Sequence, residues 1–558
     1  MKRAILGTVL MSCAGWRAFG QPPETPPRFE IADVHVSPKS SSPFPFMRTG
    51  PVRGGRYEVK TASMVDLVAT AYGFDADKVL GGPNWLEMDR FDVIAKVPAD
   101  STEETRKLML QSLLEDRFKL VAHKDTKPLP TYVLITGKKP QLKEADGTGE
   151  TGCRPQGSGS PAQGGIRLMT GGPNGVTNTI NLGPGMTIEY QCRNMTMAAF
   201  AEGLRGMMGA SLGTNQVLDQ TGLKGAWNFD IKWTLQFNGM MLGSTGDRIT
   251  IFEAVDKQLG LKLEERQIPT PVMVVDSVNR KPSENPPNLA EVLPGIPAPT
   301  EFEVASVKPT DPSERMMNFR MQPGGRFTAQ GMTMSFLVAR AFATGMAINS
   351  DQVTGLPKWA DTERFDIIAK APSEGPAAPA LDMESVAPLV RALLVDRFKM
   401  TYHTEERPVS AYSLVAAKPK MKKADPASRT HCNNGTVPAG APPGSRMLTC
   451  QNITMAQFAD RLQNMAPGLT WPILDATGID GGWDFTLTFT QTFPMAMAIG
   501  GRGGDAGQPG EGVAASDPNG GYTLFEALEK ELGLKLEAQK RPMPVTVIDH
   551  LEQKPTEN

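Results

Sequence analysis

RFDVIAKVP occupies residues 90–98 of this chain and returns as RFDIIAKAP at residues 364–372. Four further blocks recur in the same order in both halves: FEIADVHVSP (29–38) with FEVASVKP (302–309), EDRFKL (115–120) with VDRFKM (395–400), VLDQTGLKGAW (217–227) with ILDATGIDGGW (473–483), and FEAVDKQLGLKLE (252–264) with FEALEKELGLKLE (525–537). A period of roughly 250 residues is too long for a solenoid repeat and is about the length of a domain. We therefore predict two tandem homologous domains, a first repeat at residues 28–280 and a second repeat at residues 301–552.

Two segments lie outside the predicted repeats. Residues 1–20 are typical of a signal peptide, because Lys2 and Arg3 precede a short apolar run and small residues stand where a signal peptidase cleaves. Residues 281–300 are rich in proline, which favours an extended, semi-rigid linker. We therefore predict an exported protein, periplasmic or extracellular, and a lipid anchor on Cys13 is the alternative interpretation of the N-terminus.

The composition excludes several classes of partner. Of the 558 residues, 40% are hydrophobic, which is enough for two buried cores. The 58 Lys and Arg residues nearly balance the 60 Asp and Glu residues, so the formal net charge of −2 gives no general attraction to nucleic acid. Beyond the N-terminal segment, no stretch approaches the ~20 apolar residues that span a bilayer. We predict no nucleic-acid partner and no transmembrane segment in the mature chain.

Two cysteines lie in each half once the predicted signal peptide is removed. Cys153 and Cys192 precede NMTMAAFA, and Cys432 and Cys450 precede the matching NITMAQFA. An even number of cysteines in an exported chain predicts the disulfides Cys153–Cys192 and Cys432–Cys450. Loops of this size should stabilise each repeat by about 3–4 kcal/mol. A metal site would need CxxC or HxxxH spacing, which the chain lacks, so we predict no metal and no cofactor.

Strand and helix patterns alternate in each repeat and predict an α+β fold of short helices packed on small mixed or antiparallel sheets. An apolar stripe of helical spacing predicts a helix over residues 63–72. Ser101 with Glu104 predicts a capping box at the start of the next helix, and Thr250 with Glu253 predicts one for the last helix of the repeat.

Short strands are predicted after the helices. Residues 119–123 and 131–135 are predicted as one strand pair of the first repeat, and residues 262–265 and 272–275 as another. Prolines separate the members of each pair, and both pairs have counterparts in the second repeat.

The ordered motifs FEVASVKP, Gly-x-Pro-x-Trp, RFDxxAK, DRFKL and LDxTGLxGxWxF resemble a family of exported soil-bacterial proteins, of acidobacterial type, that carry a domain of unknown function. The resemblance covers essentially the whole mature chain, twice. Some members are fused to membrane metallopeptidases similar to β-lactam sensors, which implies a sensing or binding role outside the cytoplasm, and the peptidase motif HExxH does not occur here. FEALEKELGLKLE followed by a strand is also similar to the short N-terminal modules of secretins and TonB-dependent receptors, which are small interaction units.

Polar residues at matching positions of both repeats are the candidates for a functional site. The Asp-Arg pair at a helix end is typical of packing, and a lone His without a Ser or Cys nucleophile is weak evidence for acid–base chemistry. We therefore predict no catalytic residue. The candidate positions are Arg56, Arg326, Asp92, Asp366, Asp116, Asp396, Arg117, Arg397, His123, His403, Asp219 and Asp475.

Asp219 and Asp475 allow one enzymatic interpretation. Aspartic proteases share one proton between two Asp carboxylates, one from each of two similar halves and each in an Asp-Thr/Ser-Gly setting. Here one residue intrudes between Asp and Thr in both copies, LDQTG and LDATG. Asp-x-Thr-Gly also predicts an ordinary turn, in which the carboxylate accepts a hydrogen bond from the backbone two residues further on.

Three hypotheses on function follow from these patterns. The leading one is an exported, non-enzymatic protein that binds an unknown protein or ligand in the envelope or outside the cell. The second is a secreted hydrolase whose site is built from the repeated Asp, Arg and His residues. The third is a purely structural component of the envelope, and the three differ in whether the repeated residues meet in one cleft.

Overall fold

The computed structural model describes most of the chain. The described residues are 26–38, 47–50, 52, 54–98, 100–137, 139–155, 166–171, 177–182, 187–212, 216–234, 236–237, 240–241, 249–293, 299–314, 318–322, 325–342, 352–372, 383–435, 442, 445–465, 471–490 and 521–557. The predicted signal peptide at residues 1–20, and Cys13 within it, lie outside the described residues.

The fold class is α+β, as the sequence predicts, with two similar halves that each contain one disulfide. The first half contains β1 Ile31–Val36, β2 Arg48–Thr49, β3 Arg56–Ser63, α1 Met64–Tyr72, β4 Val79–Gly81, β5 Arg90–Lys96, α2 Glu103–Phe118, β6 Val121–Thr136, β7 Lys143–Glu144, β8 Gly152–Pro155, β9 Ile166–Gly171, β10 Thr177–Leu182, β11 Thr187–Met195, α3 Met197–Leu212, β12 Val217–Asp219, β13 Trp227–Thr234, β14 Gln236–Phe237, β15 Met240–Met241, α4 Ile251–Leu259 and β16 Leu261–Ser277.

A short helix, α5 Leu289–Val292, lies between the halves. The second half contains β17 Val304–Pro309, β18 Asn318–Gln322, β19 Arg326–Thr333, α6 Met334–Ala341, β20 Val353–Thr354, β21 Arg364–Lys370, α7 Met383–Arg397, β22 Thr401–Ala416, β23 Lys422–Lys423, β24 His431–Gly435, β25 Ser445–Ile453, α8 Met455–Met465, β26 Ile473–Asp475, β27 Trp483–Thr490, α9 Leu524–Ala527 with a π-turn at Leu528–Leu532, and β28 Leu534–His550.

Each repeat consists of two modules with separate hydrophobic cores. In the first repeat, the N-module has the sheet β1-β5-β3-β2 and the helices α1 and α2, and the C-module has the sheet β7-β13-β11-β8 and the helices α3 and α4. Apolar faces of the helices pack on these sheets, with Leu67, Leu114 and Phe200 fully buried. The second repeat has the same two sheets in the orders β17-β21-β19-β18 and β23-β27-β25-β24.

A long two-stranded ribbon joins the two modules of each repeat. In the first repeat, β6 pairs antiparallel with β16 along nearly their whole length. One end of this ribbon enters the N-module core through Met273 and Val275, and the other end enters the C-module core through Tyr132 and Leu134. Short parallel strands complete the sheet β12-β6-β16-β4, and β22 with β28 forms the equivalent ribbon of the second repeat.

The ribbon shows that the prediction of separate short strands was wrong. β6 runs without a break through Pro128 and Pro130. A proline is tolerated in a strand where its missing N–H would point away from the partner strand. Tyr132, which has the same orientation as these prolines, donates its N–H to Gln216 on the side away from β16. The prolines therefore interrupt no hydrogen bond of the β6–β16 pair.

The order of elements recurs inside each repeat as well as between repeats. The N-module order β3-α1-β4-β5-α2-β6 matches the C-module order β11-α3-β12-β13-α4-β16. In both modules a bulged strand precedes the first helix, and a short strand joins the ribbon in parallel. The last strand of each module then becomes one strand of the ribbon. The described chain thus contains the strand-helix-strand-strand-helix-strand unit four times.

Local capping signals place most helix ends correctly. Thr250 with Glu253 forms the predicted capping box, and Gly260 ends α4 in the left-handed conformation at φ +64°. A Cβ at this glycine would lie 2.0 Å from the Lys139 carbonyl oxygen, so only glycine fits. The prediction for α2 was wrong by one residue, because Thr102 and not Ser101 is the N-cap.

The segment between the repeats makes contacts with the first repeat. Within residues 281–300, for which the sequence predicts an extended linker, α5 is helical and Ser283 and Asn285 accept hydrogen bonds from Arg117. The boundaries at residues 28–280 and 301–552 stay predictions.

Candidate functional site

Asp92 and Asp366 hold a β-bulge in place in the N-module sheet of each repeat. Thr61 interrupts the pairing of β3 with β5 at φ +56°, and the buried Asp92 carboxylate accepts its N–H at 2.8 Å. In the second repeat, the Asp366 carboxylate accepts the N–H of Gly331, at the equivalent bulge, at 2.9 Å. A hydroxyl donates to each carboxylate as well. Both aspartates are therefore engaged in backbone positioning.

Arg117 fastens the chain that follows the first repeat. Its Nη1 donates to the Ala32 carbonyl at 3.1 Å, and its Nη2 donates to the Ser283 carbonyl and to Asn285 Oδ1, each at 2.6 Å. Burial lowers the pKa of Arg117, and the charge of Asp33 acts in the opposite direction. The guanidinium joins β1 to the chain beyond β16.

Arg397 has the same function at the end of the second repeat. It donates to the Ala305 carbonyl at 3.3 Å and to the Glu557 carbonyl at 2.6 Å. The fastened segments have related sequences, KPSEN at residues 281–285 and KPTEN at residues 554–558. The first copy of this block lies in the segment predicted as a linker, so this recurrence was not among the sequence predictions.

The neighbouring aspartates form surface ion pairs. Asp116 accepts from Arg28, and both side chains are about half exposed. Asp396 pairs with Arg397 at 3.1 Å. Exposed pairs of this kind contribute little to stability.

Arg56 and Arg326 occupy the first positions of the equivalent strands β3 and β19 but have different surroundings. Arg56 Nε donates to Glu58 at 2.5 Å. Burial raises the pKa of Glu58, but hydrogen bonds and charges from Arg56 and Lys60 outweigh it and the pKa lies below its usual value. Arg326 is exposed. The recurrence of this arginine therefore does not define a shared site.

His123 and His403 pair with carboxylates across the exposed ends of their ribbons. His123 Nδ1 lies 2.8 Å from Asp276 Oδ2, and His403 Nδ1 lies 2.9 Å from Asp549 Oδ1. The hydrogen bond that the His403 ring donates to the Asp549 carboxylate raises the pKa of His403. In the part of the chain that the structure describes, no hydroxyl or thiol is hydrogen-bonded to either ring.

Asp219 and Asp475 form the turn that the sequence predicts. Asp219 Oδ1 accepts from the Thr221 N–H at 2.8 Å and from its hydroxyl at 2.7 Å. Asp475 makes the same two bonds to Thr477, at 2.9 and 2.8 Å. Both carboxylates are occupied by their own turn, as in an ordinary Asx turn.

The twelve repeated positions do not converge. Arg117 and Arg397 also contact the segments that follow their own repeats, the contacts described for the others lie within their own module or ribbon, and nowhere among the described residues do three of the twelve lie within hydrogen-bonding reach of one another. Over the same residues, no group of three His, Cys, Asp or Glu side chains could hold a metal ion. No helix in the described ranges is long and apolar enough to cross a membrane.

The two predicted disulfides are confirmed. Cys153 faces Cys192 on paired antiparallel strands, and Cys432 faces Cys450 in the same way, with Cα atoms 4.0 Å apart in each pair. Cys192 and Cys450 are buried in the C-module cores. Such bonds are typical of proteins that fold in an oxidising compartment.

The second repeat docks onto the first through an arginine that the sequence analysis missed. Arg429 lies in the segment that leads into β24, two residues before the first strand of the disulfide hairpin β24–β25 of the second repeat. Its Nη1 donates to the Val79 carbonyl and its Nη2 to the Gly81 carbonyl, each at 2.5 Å. These carbonyls belong to β4, an edge strand of the first ribbon sheet.

The arginine contact is buried and supported by its neighbours. The Arg429 side chain is 14% exposed, and Glu87 lies 3.6 Å from it. Burial lowers the pKa of Arg429, and Glu87 acts in the opposite direction. The Thr430 N–H also donates to the Asn84 carbonyl at 3.2 Å. A charged side chain thus caps two carbonyls that an edge strand would otherwise leave without a partner.

One sequence signal could have identified Arg429. ADGTGETGC at residues 145–153 aligns with ADPASRTHC at residues 424–432, which places Arg429 opposite Glu150. Glu150 is exposed and pairs only with the exposed Arg154. The interface therefore lies where the repeats differ in charge, whereas the candidate site residues were those that are identical in the two repeats.

These features define a disulfide-containing α+β protein of two tandem repeats that contact each other through the segment before a β-hairpin and the edge of a strand. A family model described as "Protein of unknown function (DUF3738)" matches residues 65–278 and 335–551, so the chain belongs to this family and carries its domain twice. This confirms the predicted domain of unknown function in two copies. Neither the comparison with curated proteins nor the comparison with solved structures gives a match.

Proposed function

We propose that the protein is an exported, non-enzymatic interaction protein that binds a polypeptide partner in the envelope or outside the cell. The observation that carries this proposal is the docking of Arg429 on the edge of β4. It is a case of protein recognition within the chain, with a charged hydrogen-bond donor, paired backbone acceptors and a buried contact.

Export is part of the proposal. The first twenty residues have the composition of a signal peptide, and each repeat has a disulfide, which is rare in reducing compartments. The domain boundaries predicted from the sequence fit this proposal, since each repeat has its own pair of cores.

A structural envelope component is the second candidate function. The lack of a common cleft for the twelve repeated polar residues favours it, because these side chains serve sheets, turns and chain ends. A cleft that brought repeated Asp, Arg and His residues together would have supported the hydrolase hypothesis, and the described residues form none. The two candidates differ in what the protein contacts: a specific partner for an interaction protein, and other envelope material or further copies for a structural component.

Crosslinking of the full-length protein in its native envelope tests the proposal. Photo-reactive residues at exposed positions, such as Thr126 on the first ribbon and Lys358 beside the second, should capture one reproducible polypeptide. A photo-reactive residue at the buried Leu114 is the matched control and should capture none. Crosslinks that reach only further copies of the chain would favour the structural component and contradict the proposal.

A further inference from the structure

The second repeat carries the same arginine-binding edge that the first repeat uses. Residues 78–87 (KVLGGPNWLE) align with residues 352–361 (QVTGLPKWAD), so Val353, Gly355 and Asp361 occupy the places of Val79, Gly81 and Glu87. β20 is an edge strand of its ribbon sheet, as β4 is. We call these three residues, with Lys358 beside them, the second edge site.

The backbone of the second edge site has the orientation that binds Arg429 in the first. The Gln352 carbonyl accepts the Thr546 N–H at 2.9 Å and therefore points into the sheet. Because orientation alternates along a strand, the carbonyls of Val353 and Gly355 point outward. Gly355 has φ +83°, close to the +69° of Gly81, so the turn after the strand is the same.

Among the described residues, no arginine is hydrogen-bonded to the outward carbonyls of the second edge site, and the nearest guanidinium contact on β20 is that of Arg407 Nη1, which donates to the Thr354 hydroxyl at 3.4 Å. Within the described residues, no donor is hydrogen-bonded to the Val353 or Gly355 carbonyl. Asp361 is exposed and therefore accessible to a cationic side chain of a partner. Two outward carbonyls and a carboxylate at this spacing form the acceptor set that binds a guanidinium in the first repeat.

The charge pattern of the chain determines which partner fits. Arg429 is already bound within its own chain. The equivalent loop of the first repeat has Glu150 at the matching position, and its charge would repel Asp361. A second copy therefore offers no suitable segment, whereas a different polypeptide with an arginine just before a β-hairpin does.

We propose that the second edge site docks an arginine of a partner protein, carried on a segment that leads into a β-hairpin, and binds it as Arg429 is bound in the first repeat. This inference rests on the proposed function and specifies its surface and the chemistry of its partner. The site of the first repeat is then occupied by Arg429, and the site of the second repeat is available to the partner.

Peptide binding to the full-length protein tests this inference. The probe is a synthetic peptide of residues 425–451, closed by the Cys432–Cys450 disulfide, and binding is measured by isothermal titration calorimetry. The wild-type protein should bind one equivalent, and Asp361→Lys should weaken binding at least tenfold. The same peptide with Ala in place of Arg429 is the matched control and should not bind.

A second protein variant distinguishes failure of the site from failure of the probe. In Arg429→Ala full-length protein the first edge is also vacant, so the stoichiometry should rise from one to two. Binding of one equivalent to this variant and none to the wild type would overturn the second edge site. Absence of binding to both proteins would overturn arginine recognition at these edges altogether.

Two further outcomes separate this inference from the proposed function. If the envelope crosslinking captures a partner while the peptide does not bind, the partner uses another surface and only this inference fails. If sedimentation shows a dimer that Asp361→Lys dissociates, the second edge site binds a second copy of the chain, and the proposal of a different polypeptide partner is overturned.

Discussion

Single carboxylates in this protein compensate for strained backbone conformations. Thr61 is a β-branched residue in the left-handed region, which costs roughly 1–2 kcal/mol for a residue other than glycine. The second repeat has Gly331 at the same bulge, at φ +65°. In both repeats an aspartate on the neighbouring strand accepts the N–H of the bulged residue. The aspartate is therefore the common requirement, and the bulged residue can vary.

Removing this acceptor should destabilise the first repeat. In Asp92→Ala the buried Thr61 N–H has no partner, and we expect a loss of about 1–3 kcal/mol in the free energy of unfolding. Asp92→Asn keeps an acceptor oxygen and should lose less than half as much. Urea denaturation followed by circular dichroism measures both. Equal losses in the two variants would contradict the hydrogen-bonding role.

Protonation of His403 should depend on Asp549. Because the hydrogen bond that His403 donates to Asp549 raises the pKa of His403, the stabilising pair is complete below the ordinary pKa of histidine and is lost as the pH rises through the raised value. Asp549→Asn should therefore lower the titration midpoint of His403, as measured by NMR of its ring protons. Asp276→Asn, in the first repeat, should leave that midpoint unchanged; an equal shift would refute the local pairing.

At the scale of elements, the ribbons are long strands with exposed centres. The middle of the first ribbon is covered by neither β4 nor β12, so both of its edges face outward there. Pro128 and Pro130 on β6, and Pro269 and Pro271 on β16, remove the outward donors from these edges. This arrangement protects open edges from pairing with other strands.

Replacing these four prolines by Thr should promote self-association. The variant regains outward N–H groups along both edges, and we expect a concentration-dependent increase in oligomers with little change in the folded monomer. Size-exclusion chromatography with light scattering measures it. Lys127→Thr changes a residue whose N–H faces β16, so it should keep the oligomeric state of the wild type. A monomeric proline variant would show that the prolines do not protect the edges.

The sequence predicts elements whose signals are local and misses those that depend on a distant partner. Helix ends follow from adjacent residues, and the capping box of Thr250 and Glu253 was placed correctly. The ribbons were not predicted, because whether Pro128 ends a strand depends on the direction of its missing N–H relative to β16. That direction is set by pairing between residues more than one hundred positions apart.

At the scale of the whole molecule, the contact of Arg429 with the edge of β4 joins the two repeats. Its arginine was missed because identity between the repeats reports the fold, whereas Arg429 differs from its counterpart Glu150. The candidate positions chosen by identity were found in bulges, turns and chain ends. The arginine side of this interface breaks the symmetry between the repeats, although the acceptor edge does not, so a comparison of the positions that differ is the better guide to the arginine.

Arg429→Ala should weaken the contact between the repeats. The variant loses two charge-assisted hydrogen bonds to β4, and we expect roughly 2 kcal/mol less stability in the first repeat. Differential scanning calorimetry should show its transition at lower temperature, and the second repeat should be little affected. Glu150→Ala is the matched control at the equivalent position and should change stability by less than about 0.5 kcal/mol. Equal effects of the two variants would argue against the docking role.

The N-module core of the first repeat contains residues from both ends of the repeat, and this limits the order in which the repeat can fold. Met273 and Val275, near the end of the first repeat, belong to the core whose first strand begins at Ile31. A chain that crosses a membrane from its N-terminus must therefore deliver almost the whole repeat before its first core can close. Cys153 and Cys192 both arrive earlier than β16. Oxidation of this pair can thus precede the closing of the N-module core. The disulfide would then be the first tertiary contact fixed in a domain that is still being delivered.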